Sequence, residues 1–196
     1  YLGPHSPEAQ DITLRTDRVI ADLLAYIDKK IGMQNVVIAF TADHGAAPIP
    51  EHAQTFGMGG RIVAKDVADA INKSLNQRYG SDDWITDSRY GNVWLNYETL
   101  ARHRASNAEA EEIARAAVAQ VAGVYECYSR NSILSGRLPA NKISQSVTLG
   151  FYGPRNGDLV IVPKPFWIVD EGGLATTHGS PYSYDTHVPV IFYGAG

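Results

Sequence analysis

Only one cysteine, Cys127, stands among 196 residues, so no internal disulfide can form and the fold must rest on burial and hydrogen bonding. Charge of one sign is also scarce: 17 Lys and Arg against 21 Asp and Glu leave a net charge of -4. That removes any electrostatic case for nucleic acid or an anionic membrane surface as a partner. No stretch of 18 uninterrupted apolar residues occurs, so no membrane span is expected in this chain. Internal repeats and low-complexity tracts are missing, which sets aside repeat architectures. There is no initiator Met and no signal-like segment at Tyr1, and the chain stops abruptly at "YGAG". The expectation is a piece of a longer protein, so neither the single cysteine nor the lack of a targeting segment fixes a compartment.

What is present is 44% apolar and 19% charged, the balance of a globular domain with a real core. The stretch "SPEAQDITLRTDRVIADLLAYIDKKIG" reads as a long helix. Ser6 suits its N-cap, Pro7 its first position and Gly32 its stop, while Ile12, Val19, Ile20, Leu23, Leu24, Ile27 and Ile31 recur on one face. Next comes "NVVIAF", short, β-branched and apolar on both faces, the pattern of a buried strand in a covered parallel sheet. "VPVIFYG" near the end has the same character. Between them the pattern is more polar. Helices are predicted at 65–79 and 107–121, and strands at 92–97 and 124–128. Residues 141–152 are ambiguous between short helix and loop, and "DLVIVPKPFWIV" reads as two strands about a Pro-Lys-Pro turn at a sheet edge. The fold class is therefore α/β with a mostly parallel central sheet. Residues 1–61 and 171–196 form the core part, and 62–170 an inserted α+β subdomain.

The chemistry concentrates where the first apolar strand stops, in "FTADHGAAP". Adjacent strand side chains face opposite ways, so Asp43 and His44 can share a site only where the chain turns, and Gly45 permits that turn. Ligand crevices of open α/β sheets lie beyond the carboxyl ends of strands, and a carboxylate beside a neutral imidazole suits zinc. Random order of this composition yields roughly 0.04 Asp-His-Gly triplets but about half of one His-Gly pair. Asp43 and His44 thus stand out, although a turn-capping Asp with a His neighbour explains them equally well. His178-Gly179 carries little weight alone. His178 lies in a Gly/Ser/Thr/Pro loop and His187 beside the last strand, and either can reach the crevice. His5, His52 and His103 read as solvated surface residues. Thr41 lies inside the strand and reads as structural rather than nucleophilic.

Three stretches, "GPHSPEAQDITLRTDRVIADLL", "VVIAFTADHG" and "THGSPYSYDTHVPVIFYG", resemble the alkaline phosphatase superfamily. The resemblance is to the threonine-nucleophile alkaline phosphatases related to type I phosphodiesterase/nucleotide pyrophosphatases. It covers about a third of the chain and implies an alkaline-phosphatase-like sandwich with two zinc ions beyond its strand ends. Asp43 and His44 would hold one ion and His178 would serve the other, which selects His178 over His187. The family's Asp-x-x-x-His pair and its nucleophilic Thr or Ser fall before Tyr1, so no catalytic nucleophile is expected here.

The implied function is the C-terminal part of a hydrolase of small-molecule phosphate monoesters acting through a covalent phosphoenzyme. By family expectation it is periplasmic or secreted, and its partner would be the missing N-terminal part of the same protein. The alternatives are a phosphodiesterase or nucleotide pyrophosphatase of the same superfamily, or a catalytically inactive scaffold fragment. Sulfatase or phosphoglycerate mutase chemistry is more distant.

Overall fold

The structure is a computed structural model that describes residues 3–170 and 172–195, so Tyr1, Leu2, Glu171 and Gly196 lie outside it. In chain order the elements are α1 (Pro7–Ile31), β1 (Val37–Thr41), α2 (Pro50–Gln54), β2 (Gly60–Val63), α3 (Ala64–Tyr79), β3 (Ile85–Arg89) and β4 (Asn92–Leu95). They continue with α4 (Tyr97–Arg102), α5 (Asn107–Val118), β5 (Val124–Ser129), α6 (Arg130–Leu134), α7 (Lys142–Gly150), β6 (Leu159–Pro163), β7 (Trp167–Asp170), α8 (Ser183–Thr186) and β8 (Val190–Gly194). The contacts fall into two units, 1–49 with 175–196, and 50–174.

The first unit starts as its sequence dictates. The Ser6 hydroxyl accepts the Ala9 amide at 3.1 Å, Pro7 opens the helix, and Gly32 ends it with a φ of 83°. The apolar stripe of α1 is not buried, however. Ile12 is 59% exposed and Val19 67%, and no residue of the helix is buried. β1 and β8 pair with each other in antiparallel fashion, from Val37 opposite Gly194 to Thr41 opposite Val190. Mixed sheets often carry such a pair. Both strands are exposed along nearly their whole length, against the expected burial, because no described residue of this unit covers either face. Ala47 is its one buried apolar residue among those described.

The second unit has its own core. Strands run in the order β3-β4-β6-β5, antiparallel throughout, and β2 pairs with β7 in parallel. α3 and α5 pack together, and Ile71, Leu75, Trp84, Leu100 and Leu159 are fully buried. The strands about Pro163-Lys164-Pro165 do not form an edge hairpin. β6 lies between β4 and β5, and β7 joins the other sheet. Proline is tolerated because β4 pairs only with Leu159 and Val160, so at Pro163 the strand has β5 alone as neighbour. The unit boundary also differs from the expected 61/62, since β2 pairs with β7 and α2 packs on β2, which draws residues 50–61 in.

Polar groups pin this core. Asp158, fully buried, accepts from Arg130 Nε at 2.9 Å, from the Leu95 amide at 2.8 Å and from the Tyr97 hydroxyl. Burial and then the bond to this carboxylate push the Tyr97 hydroxyl well above its usual range. Arg130 also donates to the Gly153 and Asn156 carbonyls at 2.7 and 2.6 Å, fastening the segment before β6.

Candidate functional site

Two loops of the first unit carry the candidate residues. One leaves β1 at Thr41 and holds Asp43, His44 and Gly45. The other precedes α8 and holds Thr176, Thr177 and His178. They are bound to each other through the main chain: Gly45 N–H donates to Asp185 O at 2.8 Å and Ala47 N–H to Thr177 O at 3.1 Å. The Thr176 hydroxyl, fully buried, donates to Ala47 O at 2.6 Å. A Cβ on Gly45 would meet Tyr184 O at 2.0 Å, so only glycine allows this approach.

The result is a tight arrangement of donors. The His44 and His178 rings stack with centroids 3.6 Å apart and 11° between planes. Asp43 Oδ1 accepts the His44 amide at 3.0 Å, and Asp43 Oδ2 stands 3.6 Å from His44 Nε2. His44 Nδ1 lies 2.7 Å from Gly45 O. A carbonyl is only an acceptor, so it favours the tautomer with the proton on Nδ1, which leaves Nε2, 3.6 Å from Asp43 Oδ2, as the nitrogen with the free lone pair. A carbonyl on the far ring nitrogen is the usual outer support of a metal-binding histidine. The Asp43 side chain is 86% exposed, so both donors are reachable.

Their spacing can be tested against an ion. Two donors at about 2.0–2.1 Å from a tetrahedral zinc stand about 3.3 Å apart. The Asp43–His44 separation of 3.6 Å fits one shared ion with a small adjustment. Among the described residues no group of three or more His, Cys, Asp or Glu is placed to hold a single ion. The donor set therefore fits a partial site. A groove of about 480 Å³ opens beside it, lined by Pro4, Ser6, Ala9 and Ile12 of the α1 end and by Ala46 and Thr176.

The other histidines are placed elsewhere. His187 follows α8 as its C-cap residue, its amide donating to Ser183 O at 2.9 Å. His52 lies on α2 with its ring edge-on to Phe56. His103 is no solvated residue: its Nε2 is 2.8 Å from Asp82 Oδ2 and its ring leans on buried Trp84. That contact, with the Asp83 amide and Arg102, lowers the Asp82 carboxyl to about 2. Thr41 ends β1, exposed, opposite Val190. Sequence reasoning missed Thr176 and Asp185, whose partners are mostly main-chain atoms and leave no periodic trace.

With this geometry in view, residues 1–183 match the family model described as Type I phosphodiesterase / nucleotide pyrophosphatase. The chain belongs to that family. As a member of the Type I phosphodiesterase / nucleotide pyrophosphatase family it lies in the alkaline phosphatase superfamily, in accord with its relatives. It is 29% identical over 195 residues to alkaline phosphatase PafA of Elizabethkingia meningoseptica, covering 100% of this chain and 36% of that protein. It is 34% identical over 205 residues to a protein of Myroides odoratus named calcium-transporting ATPase, covering 100% and 37%. The crystal structure of wild-type PafA superposes with a TM-score of 0.87 at 29% identity, over 100% of this chain and 37% of that one. The family fold thus extends over the whole chain, which spans just over a third of the length of these relatives.

Proposed function

We propose that the whole protein is a metal-dependent hydrolase of phosphate monoesters, using zinc, and that this chain supplies part of its metal site. The observation that carries the reading is the Asp43 Oδ2–His44 Nε2 pair at 3.6 Å, with His44 Nδ1 tied to Gly45 O and the His178 ring stacked alongside. Asp43 and His44 would hold one ion and His178 would contribute to a second. When bound, such ions neutralise phosphoryl oxygens and lower the pKa of a hydroxyl nucleophile. The residues of this chain hold and orient: Gly45 O keeps the Nδ1 proton in place, and the main-chain ties between the two loops keep His178 beside His44. The nucleophile and the remaining ligands lie outside this chain on this reading, as does the surface that covers α1, β1 and β8. The reaction would pass through a phosphoenzyme on that nucleophile, in the periplasm or outside the cell.

The family description names phosphodiesterase chemistry, which keeps diesters as a second reading, while the curated relatives named alkaline phosphatases favour monoesters. ATP hydrolysis, in the name of the Myroides relative, is also phosphoryl transfer. The test is turnover of an aryl phosphate and of a bis-aryl phosphate by the full-length protein, with zinc counted per chain. Faster monoester cleavage, about two zinc ions, and loss of both in Asp43→Ala and His44→Ala are expected. Full activity after complete chelation, or unchanged zinc in both variants, would sink the reading.

A further inference from the structure

The loop between His178 and β8 contains a carboxylate that the metal-site reading leaves unused. Asp185 on α8 is 4% exposed. Its Oδ2 accepts the Ser180 amide at 2.7 Å, two residues beyond His178. Its own carbonyl accepts the Gly45 amide at 2.8 Å, one residue beyond His44. One residue therefore grips the chain within two residues of each candidate histidine, by side chain on one loop and by main chain on the other. The packing leaves no slack: the missing Gly45 Cβ would fall 2.0 Å from Tyr184 O and 3.3 Å from Asp185 Cα.

The same residue carries a cost that packing alone does not explain. Asp185 Oδ1 is buried without a hydrogen-bond partner among the described residues, as is the Ser180 hydroxyl. Buried carboxylates are costly even when fully paired, and a half-paired one calls for a reason beyond filling space. Capping alone does not supply it, because α8 spans only Ser183–Thr186 and its first-turn amides gain nothing from this side chain.

We propose that Asp185 is a positioning residue for the metal site, locking the Asp43-His44-Gly45 loop to the His178 loop so that the two imidazoles stay side by side. The proposal rests on the metal-site reading above and deepens it. It assigns Asp185 no contact with substrate or ion. The two histidines come from segments more than a hundred residues apart in sequence; the Ala47–Thr177 and Thr176–Ala47 bonds join the loops before His178, and Asp185 joins them after it, beside Gly45. Residues that orient ligands through hydrogen bonds typically change metal affinity 10- to 100-fold when lost.

The test uses full-length protein in four forms besides wild type: Asp185→Ala, Asp185→Asn, Gly45→Ala and His178→Ala. Zinc affinity is read by competition with a chromophoric chelator, kcat and KM with an aryl phosphate, and folding by thermal melting of the metal-free forms. Asp185→Ala is expected to weaken zinc binding at least 10-fold and lower kcat by a similar factor, with KM changed less than about 3-fold. Asp185→Asn keeps an oxygen for the Ser180 amide and is expected to recover zinc affinity to within about 3-fold of wild type. Gly45→Ala, which leaves the carboxylate intact but pushes the loops apart, should resemble Asp185→Ala. If Asp185→Ala does not fold, Asp185→Asn and Gly45→Ala decide the matter. The proposal is overturned if a folded Asp185→Ala or Gly45→Ala binds zinc as wild type does, or if Asp185→Asn is as defective as Asp185→Ala. Failure of the underlying reading looks different: wild type without zinc, or His178→Ala with all of it.

Discussion

Leu75 on α3 and Leu23 on α1 both belong to the apolar stripe of a long helix closed by a glycine, yet Leu75 is fully buried and Leu23 is 53% exposed. The same contrast holds for strands. Val93, on β4, is fully buried in the second unit, whereas Phe192, on β8, is 70% exposed in the first. Sequence periodicity sets which face of an element is apolar, but only neighbouring elements can bury it. The second unit brings its own neighbours. The first does not, and it is the first that carries Asp43, His44 and His178. A chain spanning about 37% of its relatives has one unit with its own buried core and one whose apolar faces stay open among the described residues.

The largest effect expected from this contrast is a separation of activity from stability. In the full-length protein His178→Ala should lower kcat/KM for an aryl phosphate by about 10³-fold or more while the melting temperature of the metal-free form stays within a few degrees. Leu75→Ala should do the reverse, destabilising by about 2–5 kcal/mol in denaturant titrations with kcat per folded molecule unchanged. If both substitutions depress activity equally at full folding, the two units are not functionally distinct.

Next in size is Arg130→Met, which strands the buried Asp158 carboxylate and should cost about 3–5 kcal/mol. A loss below about 1 kcal/mol by chemical denaturation would mean that this network does not hold the second unit together. Smaller again is Leu23→Ala. In this chain it should change stability by less than about 0.5 kcal/mol, as an exposed site does. In the full-length protein the same change should cost about 2 kcal/mol or more if the helix face is covered there. Equal values in both settings would show that nothing covers α1.

The smallest effect concerns pH. The Asp82 carboxyl is held at about 2, first by His103, then by the Asp83 amide and Arg102. A folded value below the ordinary carboxylate range gives stabilisation that is complete above about pH 4 and fades as pH falls towards 2. Asp82→Asn should therefore lower the stability of the second unit at neutral pH and flatten its acid dependence in that window. An unchanged acid titration of folding would contradict the assignment.

Much of the fold was legible because it follows local rules. Ser6, Pro7 and Gly32 bound α1 as expected, and the stripe of Val67, Ile71 and Leu75 marks the buried face of α3. The errors lie where local rules give out. The prolines pointed to an edge hairpin, yet β6 lies between β4 and β5 and β7 joins another sheet; only at Pro163 itself is one side of the strand open. His103 looked solvated because its partners, Asp82 and Trp84, come together only in the folded unit. Asp43, His44 and His178 were singled out as candidates by motif and resemblance, and their two loops are joined by main-chain bonds with the His44 and His178 rings stacked. Asp185 was not, because its bonds run to backbone amides whose positions exist only after folding.

On the proposed function, this chain would hold part of a two-metal phosphate-ester site completed by residues outside it. The most direct test is zinc-supplemented hydrolysis of an aryl phosphate by the purified 196-residue chain and by the full-length protein, side by side after gel filtration. Robust turnover and about two tightly held zinc ions are expected in the full-length protein, with neither in the chain alone. Turnover by the chain alone that survives gel filtration would place a nucleophile and a complete site within these residues, and would contradict it.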